Sequence, residues 1–323
     1  MTPDYSNWPH VAVVTLMHNS RRFIDEYFSA FDRVRYPQRS LELHVLDNGS
    51  RDGSWENIQA NVVGSTSLNL TVNRSEKNLG FAGGNNHVLR ALKRRADIEY
   101  FLLINIDTQI EEGCLEELVA MMERENDTGM VEAIQRPREH PKWYDPHTLE
   151  TGWCSCGGVL IRKTALQQVG LFDRKFFLYC EDVDLSWRMW MHGWKCKINP
   201  KAAYMHFTEG LDNKKDGSIQ LYYSLRNSFF LHFKYDTWSG TLRHIRMFNE
   251  SLKDQDERTK NIYREARRRY KKYIPLLLLD RLRLIRCTKG SWIVFDGFNY
   301  EKRRKYVDTE DGRTILNGLG REA

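Results

Sequence analysis

The sequence has no apolar run near the roughly 20 residues needed to cross a bilayer. Its first apolar stretch, Val11 to Met17, follows a polar start that lacks the order of a secretory signal, so a cytoplasmic chain is expected. Six cysteines (Cys114, Cys154, Cys156, Cys180, Cys196 and Cys287) form neither a CxxC pair nor a zinc-like Cys/His spacing. Reduced thiols packed as small hydrophobes are the expected outcome. The one glycine-rich stretch, Asn78 to Asn86, matches neither the dinucleotide pattern GxGxxG nor the phosphate loop GxxxxGK[ST], which argues against a dehydrogenase or an NTPase. Internal repeats and low-complexity tracts are also missing.

What is present fits a folded protein of one large domain or two ordinary ones: 323 residues, 41% hydrophobic and 28% charged. The formal charge of +6 is unevenly placed. From Thr241 onward there are 21 Lys and Arg against 12 Asp and Glu, so a basic tail follows a near-neutral body.

Strands and helices alternate along the first hundred residues. Strands are expected at Val11–Leu16, Leu41–Leu46, Leu68–Val72 and Tyr100–Asn105, with helices after Asn19 or Ser20, at Ser54–Ala60, and from the Asn78–Asn86 loop to about Arg95. Such alternation implies a mostly parallel sheet covered on both faces, with ligands beyond its carboxyl edge. Further on, strands are expected at Cys156–Ile161, near Trp194–Ile198 and at Ala202–His206. Helices are expected at Lys163–Val169, at Asp182–His192 and beyond Ser218.

Polar groups fall where a site belongs. Asn105-Ile-Asp107 ends the most apolar strand, and on an extended chain residues two apart point the same way. A carboxylate there suits Mg²⁺ or Mn²⁺ bridging phosphate oxygens, but could equally end the strand in a turn. Glu181, Asp182 and Asp184 open a helix, where acids offset the dipole. Their mutual repulsion can also raise one carboxyl's proton affinity and make a general base. Asp182 and Asp184 cannot both face one substrate, because residues two apart diverge on a helix. The glycines of Asn78–Asn86 allow close ligand approach, and the helix start behind them favours an anion.

Taken in order, these segments resemble glycosyltransferase family 2, the inverting enzymes of the GT-A fold, and within it the rhamnosyltransferase-like branch. The resemblance runs from about Val11 to Tyr235. It is carried by Val11–Asn19, Asp47-Asn-Gly-Ser50, Asn78–Asn86, Asn105-Ile-Asp-Thr108, Gly157-Gly158, Gly-Leu-Phe-Asp173 followed by Glu-Asp-Val-Asp-Leu185, and Arg226-Asn227. It implies a GT-A catalytic domain over 1–235, with a nucleotide-sugar half to about 110 and an acceptor half beyond it, then a helical basic region over 236–323. Thr15, Asn19, Asp47 and Asn48 are implied in the nucleotide pocket. Asn78, Gly80, Phe81, Gly83 and Asn85 are implied over the ribose and sugar-phosphate. Asn105 takes the first place of the family's Asp-x-Asp motif, with Asp107 and His206 as implied metal ligands. Asp182, paired with Glu181, is implied as the base, and Arg226 as an aid to the diphosphate. Gly158, Trp153 and Trp187 are assigned to the acceptor side, although core packing of the tryptophans stays open.

The resemblance thus implies transfer from a nucleotide-diphosphate sugar, dTDP-rhamnose or a UDP-sugar, to a saccharide or lipid-linked acceptor in surface polysaccharide or glycolipid synthesis. The basic stretch 264–286, with four leucines after Pro275, can lie on an anionic membrane surface at its inner face or pack on protein; a homodimer stays open and nucleic-acid binding is not expected. A sugar nucleotidyltransferase would want a basic glycine-rich loop after the first strand, which Thr15–Ser20 does not offer. A silent sugar-nucleotide-binding scaffold stays open because Asn105 replaces a carboxylate.

Overall fold

In the computed structural model, residues 8–140, 142, 144–207 and 217–287 are described. One eight-stranded sheet runs through the body in the order β3-β2-β1-β4-β7-β6-β8-β5. Its strands are β1 (Val11–Met17), β2 (Leu41–Asn48), β3 (Asn69–Ser75), β4 (Tyr100–Ile104), β5 (Thr108–Ile110), β6 (Thr128–Arg136), β7 (Gly158–Arg162) and β8 (Lys195–His206). Between and after them lie α1 (Ile24–Phe31), α2 (Ser54–Asn61), α3 (Gly80–Leu92), α4 (Cys114–Arg124), α5 (Lys163–Val169), α6 (Glu181–Met191), α7 (Gly217–Tyr235), α8 (Trp238–Ser251), α9 (Glu257–Lys271) and α10 (Ile274–Cys287).

Apart from Thr15, β1 is apolar because both its faces are covered. Val11, Val13 and Met17 enter one core with α1 and α4, while Ala12 and Val14 enter a second with α3 and α5. β4 divides the same way: Tyr100, Leu102 and Ile104 to one side, Phe101 and Leu103 to the other. The first four strands are parallel to one another, as the alternation requires. Beyond β4 the sheet turns mixed: β7 runs antiparallel to both β4 and β6, and β5 antiparallel to β8.

Three expectations change. Gly80 to Asn86 are helical, not loop, because α3 starts at Gly80. Gly84 serves packing there: a Cβ would stand 2.8 Å from the Leu16 side chain. The two pieces Trp194–Ile198 and Ala202–His206 are one strand, β8, whose pairing with β6 jumps from Ala133↔Asn199 to Ile134↔Ala203. Pro200 sits in that bulge, where it owes the ladder no N–H. Asn105–Asp107 is a turn between β4 and β5 rather than extended chain, so the two-residue alternation of a strand does not apply to it.

A third core joins α6 to the C-terminal helices. Phe176 and Val183 meet Phe229 and Phe230 of α7, Tyr263 and Tyr270 of α9, and Leu277 of α10.

Candidate active site

The carboxyl ends of β1, β2 and β3 form the first wall. Their parallel register sets Asp47 opposite Arg74, whose Nε lies 3.1 Å from the buried carboxylate. Asp47 also accepts the Ser50 N–H at 3.0 Å, which fixes the turn after β2. Beside it opens a cleft of about 460 Å³ lined by Gly49, Ser50, Arg51, Arg74, Ser75 and Glu76. Gly49 takes φ +79°, and a Cβ there would lie 2.7 Å from the Lys77 carbonyl carbon. Asn19, exposed and at φ +53°, ties the two loops together. Its side-chain oxygen accepts the Arg51 N–H at 2.8 Å, and its own N–H donates to Ser50 Oγ at 2.9 Å.

Other residues expected in this pocket lie beneath it. Thr15 is buried, with its hydroxyl bonded to the Tyr27 hydroxyl and donated to the Ile104 carbonyl at 3.0 Å. It joins β1, α1 and β4 rather than facing a ligand. Asn48 is also buried and spends its amide on the chain: it accepts the Leu79 N–H at 2.9 Å and donates to Asn78 Oδ1 and the Gly80 carbonyl, both at 3.2 Å. Asn78, exposed, accepts the Gly80 N–H at 2.8 Å. At Gly80 (φ +74°) a Cβ would collide with Phe177, whose carbonyl takes the Phe81 N–H at 2.7 Å. The start of α3 is therefore met by protein, and its glycine admits a backbone rather than a phosphate. Gly83 is buried against Leu79, and Asn85, buried in α3, donates to the Phe81 carbonyl at 3.0 Å.

The second wall comes from the turn after β4 and the end of β8. Asn105 anchors the turn by donating its N–H to the Gly157 carbonyl at 3.1 Å, while its carbonyl accepts the Thr108 hydroxyl at 2.6 Å. Pairing of β5 with β8 sets Thr108 opposite His206 and so brings Asp107 Oδ1 within 3.2 Å of His206 Nε2. Gln135 decides the tautomer. Its amide nitrogen donates to the Arg138 carbonyl at 2.8 Å, so its oxygen faces His206 Nδ1 at 2.9 Å and requires a proton there. Nε2, the ring nitrogen turned to Asp107, is the one a metal would take. One carboxylate and one imidazole suit a hard cation that fills its other positions with phosphate oxygens and water. Among the described residues no group of three or more His, Cys, Asp or Glu gathers as a metal cluster.

The third wall is the start of α6, where three carboxyls meet three environments. Asp184 is buried between Arg188 Nε (2.9 Å) and Lys234 Nζ (2.5 Å) and accepts the Tyr235 hydroxyl at 2.7 Å. Burial would raise it, but Lys234 and Arg188 outweigh that and hold its pKa down to about 2. Burial and the Asp182 charge push Glu181 well above the usual carboxylate range. Its Oε2 has no hydrogen-bond partner among the described residues, as a protonated carboxyl can tolerate. Asp182 remains partly accessible. Burial pushes it up to about 6, against a 2.8 Å bond from the Val183 N–H and the charge of Lys142. A carboxylate poised there takes a proton near neutral pH.

Below Asp182 lies a group the sequence reading missed. Lys142 is paired with Glu132 in the interior and donates to the Trp153 carbonyl at 3.0 Å, with its ammonium 4.4 Å from the Trp153 ring centre. Glu132 also accepts the Ser155 N–H at 2.6 Å, and His140 meets Ser155 Oγ at 3.1 Å. Burial and Lys142 lower His140 to about 4, so it is neutral at pH 7. Nothing in the sequence marks these residues until β6 is known to end beside β7.

Several acceptor-side expectations also shift. Gly158 is covered by Tyr204, whose ring a Cβ would strike. Trp153 and Trp187 are half-buried; Trp187 meets Tyr235 edge-on at 5.0 Å. Arg226 is buried and bonded to the carbonyls of Lys175 (2.9 Å) and Phe176 (2.7 Å) and to the Asn227 side chain. It orders the segment before α6 instead of reaching a diphosphate. Asn227 donates to the carbonyls of Phe176, Leu178 and Tyr179, and Asn86 clamps both backbone groups of Phe172.

The chain is similar to known proteins in sequence and in fold. The sequence profile of "Glycosyl transferase family 2" matches residues 12–186. A stretch of 62 residues is 40% identical to the N-acetylglucosaminyl-diphospho-decaprenol L-rhamnosyltransferase of Mycobacterium tuberculosis, covering 19% of this chain and 20% of that protein. Another of 77 residues is 30% identical to the rhamnosyltransferase WbbL of Escherichia coli K12, covering 24% of this chain and 29% of that protein. The chain thus spans less than a third of the length of the curated relatives it matches. In fold it is similar to the mannosyltransferase PcManGT of Pyrobaculum calidifontis, solved with GDP-Man and Mn²⁺, at TM-score 0.58 and 17% identity over 98% of this chain and 86% of that one. S. aureus TarS 1-349, solved with UDP-GlcNAc, gives TM-score 0.56 at 16% identity, covering 87% of this chain and 89% of that one.

Proposed function

The chain belongs to glycosyl transferase family 2, and from that premise we propose that it moves a sugar from a nucleotide-diphosphate donor to a saccharide or lipid-linked saccharide with inversion. It is a glycosyltransferase of rhamnosyltransferase-like kind; rhamnose is the sugar the two bacterial relatives' names favour, and dTDP-rhamnose is the donor proposed. The observation that carries the mechanism is the division of labour at α6. Glu181 is buried and pushed up by burial and the Asp182 charge, Asp184 is locked in ion pairs, and Asp182 alone is a partly accessible carboxyl with raised basicity.

The nucleoside lies against the cleft between Asn19, Ser50 and Arg74, with its diphosphate toward Asp107. Asp182 removes the acceptor hydroxyl's proton as that oxygen attacks the anomeric carbon. The bond from that carbon to the diphosphate breaks, and its electron pair leaves with the phosphate oxygen. Attack and departure on opposite faces invert the centre. Asp107 and His206 would hold Mn²⁺ or Mg²⁺, which supplies positive charge to the leaving diphosphate. Lys142 and Glu132 hold Trp153 and Ser155 under the acceptor. No described helix is long and apolar enough to cross a membrane.

Asp182→Asn tests the assignment. Transfer should fall by about 10²- to 10⁴-fold, while dTDP or UDP binding with Mn²⁺ stays near that of the parent. Transfer at the parental rate removes Asp182 as base.

A further inference from the structure

We propose that α10, the end of α9 and the start of α8 form one face that docks on an anionic lipid bilayer. α10 turns Leu277 and Leu284 into the protein and leaves Leu276, Leu279 and Leu282 at 50, 51 and 54% exposure. Such a row on a helix whose other face is already packed is apolar surface left uncovered among the described residues. It continues onto α8: Arg281 lies 5.0 Å over the Trp238 ring, and Trp238 and Leu242 are 55 and 54% exposed.

The charge around this row is mainly positive, with Asp236, paired to His232, the acid beside Trp238. Arg283 and Arg286 share the exposed side of α10, and Lys271 and Lys272 are exposed just before it. The single acid of α10, Asp280, turns inward to Lys175 at 2.9 Å. Of the acids on the neighbouring helices, Asp254, Asp256 and Glu257 lie at the far end of α9, Glu250 is near the end of α8, and Glu265 is paired with Arg268 and Arg269. Leucine and tryptophan among arginines and lysines match the boundary between anionic headgroups and acyl chains. A second copy of the chain would bring two such basic faces together and repel.

The inference rests on the lipid-linked acceptor only for its purpose, because docking is measured without transfer. The full chain is sedimented with phosphatidylcholine vesicles, with and without phosphatidylglycerol. It should bind the anionic vesicles and be released by salt. The exposed-site variant Leu276→Glu/Leu279→Glu and the charge variant Arg283→Glu/Arg286→Glu should each lose about ten-fold or more of the bound fraction. Binding of dTDP with Mn²⁺ should match the parent in both, so failure to dock is separable from failure of the catalytic reading. No binding by the parent chain, or equal binding by the variants, overturns the proposal. So does a parental dimer that the leucine variant dissociates without any vesicle binding.

Discussion

Glu181, Asp182 and Asp184 share one helix start, yet their neighbours give them different protons. For Asp182 the raised pKa has two measurable consequences. Its carboxylate is the working form, so kcat should rise with pH on a limb near about 6. The sign for stability is opposite. A carboxyl with a folded pKa of about 6 and an unfolded one near about 3.9 penalises the fold once ionised. That penalty grows as pH rises through this window. Asp182→Asn should therefore be more stable than the parent at about pH 8, and the difference should vanish below about pH 4, as urea midpoints would report. At the other wall, His206→Ala should weaken Mn²⁺-dependent dTDP binding about ten-fold or more, read by calorimetry. Gln135→Leu, which leaves the imidazole free to rotate, should weaken it in the same direction.

At the scale of elements, short backbone clamps aim the site. α3 can start at Gly80 because the Phe177 carbonyl caps it, and the same contact seats the segment leading into α6. Gly80→Ala would put a Cβ into Phe177 and strain a positive φ, at a cost of about 2–4 kcal/mol. Guanidinium unfolding with intrinsic fluorescence checks this. Asn227, Arg226 and Asn86 hold the same segment through its carbonyls and through Phe172. Arg226→Lys should keep the charge yet lose the forked bonds, and so lower kcat more than nucleotide affinity. An unchanged kcat would leave Arg226 with a stability role alone.

Across the whole molecule, the sheet and the C-terminal helices meet at α6. The start of α6 carries the proposed base, and its Val183 and Trp187 border the third core. Phe229, fully buried and stacked on Tyr270 at 4.3 Å, is central to that core. Phe229→Ala should cost about 3–5 kcal/mol. Helix content and dTDP protection should then be lost in one transition, because the helices and the site share residues. An early, separate loss of helix signal would show instead that α7–α10 unfold on their own.

The sequence alone was enough to read the alternating strands, the ordered motifs and the basic tail. Those depend on local composition: β1 and β4 must be apolar wherever a sheet is covered on both faces, and acids gather at a helix start whatever surrounds it. The short β5, β6 and the register jump of β8 escaped, since their pairing partners lie far along the chain; α4 escaped although its apolar face is local. Only the tertiary structure decided which polar groups remain available. Thr15, Asn48 and Arg226 look like ligand-binding residues in sequence, yet their donors are bonded within the fold. Asp107 and His206, 99 positions apart, become neighbours through one short ladder. A polar side chain has a fixed hydrogen-bonding capacity, and distant partners in the fold determine whether that capacity is used internally or left for a substrate.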